Sequence, residues 1–232
     1  MNCAHEVKAN LFPGHARLSE RTLTVFLVLE VLVLFVGAPL AAMGFATPLF
    51  GGALAVAPLF LIIVIISRNS WAGALTILAV CLAVVGAIMR IREPTPLNIW
   101  FSHSAVIVGV LAISIVMGRI VFGPGRVTHN RIEGGVVLYL NIAVAFTAAY
   151  RLIAELNPGA FTALAQGQTE AAKATAMLYF SFTTLTSTGF GEILPVHPFA
   201  RSLANLESVM GQLYLAVFLA RLVSLHVGSR RS

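Results

Sequence analysis

The chain has 232 residues, a formal net charge of +6, 58% hydrophobic residues and only 10% charged ones. Its mean hydropathy is +0.91, whereas soluble globular domains carry about a quarter charged residues, so the composition excludes an ordinary soluble fold and points to an integral membrane protein. The basic residues are scattered between apolar runs, which argues against nucleic acid as a partner, and Cys3 and Cys81 can build neither a disulfide framework nor a metal or redox centre.

A polar, cytosolic N-terminal tail is expected over residues 1–21. A helical span needs about 20 apolar residues, and six such runs follow, over residues 22–43, 48–66, 71–89, 99–122, 135–156 and 198–227. The first is trailed by "GAPLAA", as a signal peptide would be. Its length, its internal Glu30 and the long tail before it predict a retained span instead. Span four carries a single basic residue, Arg119, at its end, and spans two and three carry no acid. A voltage sensor needs Arg or Lys at every third position with acidic partners, so residues 22–131 read as a four-helix membrane domain that does not sense voltage.

The break "FGPGRVTHNRIEGG", residues 122–135, separates this domain from a two-helix pore module over 132–232. With both termini cytosolic, ten of the 15 basic residues fall on the inner side of the membrane. That bias sets the expected orientation in a cell inner (plasma) membrane. Trp71, Trp100 and Tyr150 fall near predicted interfaces and read as aromatic anchors among the lipids. No cytosolic ligand-binding domain is expected to be attached.

Between spans five and six the chain is too polar at first to cross. Residues 157–174, "NPGAFTALAQGQTEAAKA", read as an outer turret. Residues 175–185 read as a helix about 16 Å long, roughly half of a hydrocarbon core of about 30 Å. The chain must then turn back at Thr186. Irregular backbone at that depth survives where it lines a water- or ion-filled path. Here "LYFSFTTLTSTGFGEILP" packs six hydroxyls, at Ser181, Thr183, Thr184, Thr186, Ser187 and Thr188, ahead of Gly-Phe-Gly-Glu. Gly189 and Gly191 alternate with Thr188 and Phe190, and glycine takes positive φ at no steric cost. Alternating left- and right-handed backbone turns successive carbonyls to one side, which suits a dehydrated monovalent cation. The negative end of the short helix faces the same point. The expected fold is therefore an all-α membrane protein of six transmembrane helices, with a re-entrant pore helix and an extended filter between spans five and six.

"TLTSTGFGEILP" resembles the potassium-channel signature, Thr-x-Thr-Thr-Val-Gly-Tyr-Gly-Asp with a nearby Pro. Thr186 and Ser187 take the places of the paired threonines, Thr188 that of valine, Gly189, Phe190 and Gly191 those of Gly-Tyr-Gly, and Glu192 that of the acid. The resemblance implies potassium sites at the carbonyls of Ser187, Thr188, Gly189 and Phe190, with the Ser187 hydroxyl at the bottom and Gly191 closing the outer end. It extends through span six, where Gly211 takes the hinge position of bacterial pore-loop channels. It covers residues 132–232. One strand gives one oxygen per layer, so the chain must assemble around an axis, and the family precedent is a homotetramer. Potassium is then the permeant ligand and no cofactor is implied.

Two of the acids within predicted spans, Glu30 and Glu207, lie away from the span ends. Glu30 is expected to face another helix, with Asn141 of span five as its partner, or to sense protons. Glu207 lies one turn before Gly211 on the same face, where Thr183 or Thr184 would hydrogen-bond it, or its protonation would gate the pore. A ring of Glu192 at the outer mouth would concentrate cations. Arg221 is expected to face headgroups or the 126–133 linker, and His197 to be a loop histidine. The leading function is a passive tetrameric potassium channel. A non-selective monovalent cation channel and a potassium uptake carrier subunit stand as alternatives. An enzyme is not expected, because no histidine lies beside the hydroxyl cluster to act as base.

Overall fold

The computed structural model describes residues 20–45, 78, 81, 96–123, 128–164 and 168–230. The expected spans two and three, apart from Leu78 and Cys81, and residues 1–19 of the tail lie outside the described residues. In chain order the elements are α1 (Glu20–Leu32), a π-helical turn (Val33–Gly37), α2 (Ala38–Ala42), α3 (Pro96–Phe122), α4 (His129–Leu156), α5 (Glu170–Leu185) and α6 (Pro198–Arg230). Among the described residues three stretches are long and apolar enough to cross a membrane: Leu23–Ala42, His129–Leu156 and Pro198–Leu225. They coincide with expected spans one, five and six, and α3 covers the fourth. The protein is a helical membrane protein.

Local sequence explains where these elements bend and begin. Pro39 has no N–H, and its ring crowds the carbonyl four residues back, at Phe35. The helix widens there, and the Ala38 amide reaches back five residues to the Val33 carbonyl. Helix α4 begins six residues before the expected start at Gly135. The Gly134–Gly135 pair is therefore not a break. Gly135 lies under the Phe218 ring, where a Cβ would collide with the ring carbons, so the glycine serves close packing between α4 and α6. Helix α5 begins five residues earlier than expected. The Thr169 hydroxyl accepts the Ala172 amide at 3.2 Å, and Glu170 meets the positive helix end and Lys173, 3.0 Å away. The polar residues assigned to a turret are in part the cap and first turn of this helix, which is about 24 Å long.

Helix α4 is the centre of the assembly, with α3, α1, α5 and α6 packed against it, and α2 continues α1 onto α5. One apolar core joins Leu23, Phe26, Ile113, Met117, Val137 and Leu138; a second joins Phe146, Tyr150, Phe161, Met177, Phe180 and Ala200. In the second, Tyr150, Phe161 and Phe180 meet edge to face with centroids 4.9–5.7 Å apart. Polar pairs tie α1 along its length. The Thr24 hydroxyl donates to Glu133 at 2.7 Å, and the Asn141 amide donates to Glu30 Oε1 at 2.9 Å. At the far end the Thr175 hydroxyl of α5 donates to the Ala38 carbonyl at 2.9 Å, next to the Phe35–Phe182 ring contact at 5.1 Å. The first span thus rests directly on α4 and α5.

The Glu30–Asn141 pairing expected from the sequence is present and buried, and Glu30 Oε2 has no partner among the described residues. Removing only the amide strands a buried carboxyl, at a cost of about 1–3 kcal/mol. Asn141→Leu should therefore lower the thermal unfolding midpoint in detergent. The Glu30→Leu/Asn141→Leu double variant, which removes both polar partners, should recover most of the loss. A double variant that is worse than the single one would show that the pair is not the unit.

Candidate functional site

The end of α5 and the seven residues after it form the candidate site. The Thr186 amide bonds to the Phe182 carbonyl and the Ser187 amide to the Thr184 carbonyl, both at 3.0 Å. The Thr183 carbonyl then holds two amides, Thr188 at 2.9 Å and Gly189 at 3.1 Å. The helix is tied off at this point, and the residues that follow form neither helix nor strand. Positive φ recurs at every second residue: +55° at Ser187, +58° at Gly189 and +82° at Gly191. Glycine takes this conformation freely, but serine does not, and a non-glycine residue held there costs about 1–3 kcal/mol. The alternation foreseen at the two glycines therefore begins one step earlier, at Ser187.

The return strand is pinned from outside. The Thr162 amide donates to the Leu194 carbonyl at 2.9 Å, and the Leu194 amide donates to the Thr162 hydroxyl at 2.9 Å. The Val196 amide bonds to the Ala160 carbonyl at 2.8 Å, and Arg201 reaches the Pro195 carbonyl at 3.0 Å. On the α5 side, Tyr179 stacks on Phe190 with the rings 2° from parallel and 6.2 Å apart. Its hydroxyl donates to Glu192 at 3.0 Å. Desolvation, with the Glu192 hydrogen bond and charge, raises the Tyr179 phenol above its ordinary value, so it remains a donor.

Residues 136–227, about two-fifths of the chain, match a family model described as ion channel. This segment is similar to that ion-channel family. No curated protein and no solved structure gives a significant match to the chain. Every residue of the candidate site lies within the ion-channel segment.

Inside that segment the six hydroxyls divide into two groups. Thr183 and Thr184 both bond to the Phe180 carbonyl, at 2.9 and 2.8 Å, and so are not the partners of Glu207 expected from the sequence. They are folded back on their own helix, as threonine commonly is. Thr186 bonds to the Phe182 carbonyl at 2.7 Å and lies 2.8 Å from the Thr188 hydroxyl. Glu207, fully buried, instead takes the Tyr150 hydroxyl at 2.6 Å and contacts the Ser181 hydroxyl. Ser181 Oγ also lies 2.8 Å from the Ala143 carbonyl. Three helices, α4, α5 and α6, meet at this one carboxyl.

Tyr150 is accordingly not a lipid-facing anchor: it has no exposed surface. Its place in the apolar pattern of span five resembled an interface position, and only the fold brings Glu207 to it. Arg221 lies within electrostatic reach of Arg131, beside the linker where it was expected. Gly211 sits in an unbroken α6, so close to the Leu185 carbonyl that a Cβ would collide with it. Ser208 and Gln212, which the sequence reading passed over, reach Ser187 from α6. Their signal was present as two polar residues flanking Gly211 on one face of an apolar helix.

Proposed function

We propose that the chain assembles as a homotetramer into a passive potassium channel, with residues 187–191, Ser-Thr-Gly-Phe-Gly, as its backbone-carbonyl selectivity filter. The observation that carries this reading is the positive φ at Ser187, Gly189 and Gly191, directly after a helix too short to cross a bilayer. Alternation of that kind aims successive peptide oxygens to one side, and four strands around an axis would cage a dehydrated ion. Potassium would sit at the carbonyls of Ser187, Thr188, Gly189 and Phe190, with Thr186 at the inner approach. Glu192 would draw cations to the outer mouth, α5 would be the re-entrant pore helix, and Gly211 would allow α6 to bend on opening. Six spans in the plasma membrane with both termini cytosolic complete the reading.

Purified protein in planar bilayers under opposed potassium and sodium gradients tests it. A reversal potential at the potassium equilibrium value is the expected result; no current overturns the reading. A non-selective monovalent cation pore is the second reading. It is favoured by the hydroxyl that Thr188 places where the signature has valine, bonded to Thr186 at 2.8 Å. Reversal near zero would select it.

A further inference from the structure

We propose that Ser208, Gly211 and Gln212 form a platform on α6 that positions the inner end of the filter, and that Gln212 governs ion selection through the Ser187 hydroxyl. The inference rests on the channel reading above and names residues that the signature motif does not contain. Spacings of three and four residues put these three residues on one helical face. All three meet the short segment between the end of α5 and the filter. Gln212 Nε2 donates to Ser187 Oγ at 3.0 Å, and the Ser208 hydroxyl lies 3.2 Å from the same oxygen. Gly211 abuts the Leu185 carbonyl, to which the Tyr139 hydroxyl of α4 also donates at 3.4 Å.

Two physical consequences follow. A serine at φ +55° persists only where its surroundings over-determine it, and Ser208 and Gln212 are the side chains that hold it. The second consequence is a matter of proton count. A serine hydroxyl has one proton and two lone pairs. The Gln212 amide can only donate here, so it occupies one lone pair of Ser187. When Ser187 gives its proton to Ser208, one lone pair remains to face a cation; when Ser208 donates instead, none does. The α6 platform therefore decides whether the Ser187 hydroxyl is a ligand for the innermost ion, and any displacement of α6 at Gly211 is felt directly at the filter.

The test uses the full chain in planar bilayers under a potassium/sodium gradient, with tetramer content measured by size exclusion. Gln212→Met keeps the side-chain length and removes the donor. It should move the reversal potential toward zero by about a five-fold rise in the sodium-to-potassium permeability ratio, the worth of one hydrogen bond. Ser208→Ala, a milder change to the same contact, should shift it in the same sense. In a Ser187→Ala background Gln212→Met should add nothing, because the hydroxyl through which it acts is gone. A potassium-selective wild type with an unmoved Gln212→Met variant overturns this inference alone. So does a shift that adds to that of Ser187→Ala. A wild type that carries no current overturns the channel reading, and this inference with it.

Discussion

On the channel reading proposed above, Gly189→Ala is expected to abolish potassium current while tetramers still form. At φ +58° an alanine pays the left-handed penalty of about 1–2 kcal/mol. Among the described residues, its two chain neighbours aside, no atom lies within 4 Å of the position a Cβ would take, so the cost within the chain is conformational and not a clash. In a tetramer the same strain is imposed four times at one layer of the axis, on the order of 4–8 kcal/mol. The least costly escape is for the peptide to rotate, which withdraws its oxygen from the path and leaves the helices untouched. The contacts that pack this chain's helices together lie elsewhere, at Glu207, Gly135 and Gly211. Bilayer recording beside size exclusion separates the two outcomes. A variant that retains wild-type potassium selectivity would remove Gly189 from the filter.

The spans that the structure describes were legible because twenty-residue apolar runs have few other uses. The Glu30–Asn141 pair was legible for a related reason: a carboxyl near the middle of a span must find a polar partner, and Asn141 was the polar residue at matching depth. Boundaries were less legible. The polar first turn of α5 was assigned to a loop because hydropathy does not distinguish a capped helix start from a turret, although Thr169 and Glu170 are the residues a cap uses. Gly134–Gly135 was taken as a break because glycine weakens a helix by its own propensity, whereas here Phe218 requires its lack of a side chain.

The positive φ was foreseen at the glycines and missed at Ser187. Glycine announces positive φ in the sequence, whereas a serine adopts it only when contacts from a distant helix enforce it. The same holds for Tyr150, Ser181 and Glu207. Each looks ordinary in its own span, and their meeting is a property of how α4, α5 and α6 pack. Tertiary partners separated by 26 and 57 residues leave no periodic trace in the sequence.

Glu207→Leu should be among the most damaging single changes behind the filter, and Glu207→Gln among the better tolerated. Leucine leaves the buried Tyr150 hydroxyl without its acceptor, while Ser181 keeps the Ala143 carbonyl. One stranded group costs about 1–3 kcal/mol, to be read as a lower thermal midpoint. Glutamine keeps an acceptor for Tyr150 and supplies an N–H toward Ser181. That N–H matters because the single Ser181 proton cannot serve both the Ala143 carbonyl and Glu207 fully. With the proton on the carbonyl, the second contact needs a donor on residue 207, which the carboxyl provides only when protonated. A carboxylate would draw the Ser181 proton away from the Ala143 carbonyl, so ionisation weakens a contact between α5 and α4, and it does so as pH rises. Tyr150 and Tyr139 are the other titratable groups that face this carboxyl. Open probability recorded across a pH series should fall on the alkaline side in the wild type and stay flat in Glu207→Gln. If both respond to pH alike, Glu207 is a structural clasp and not a sensor.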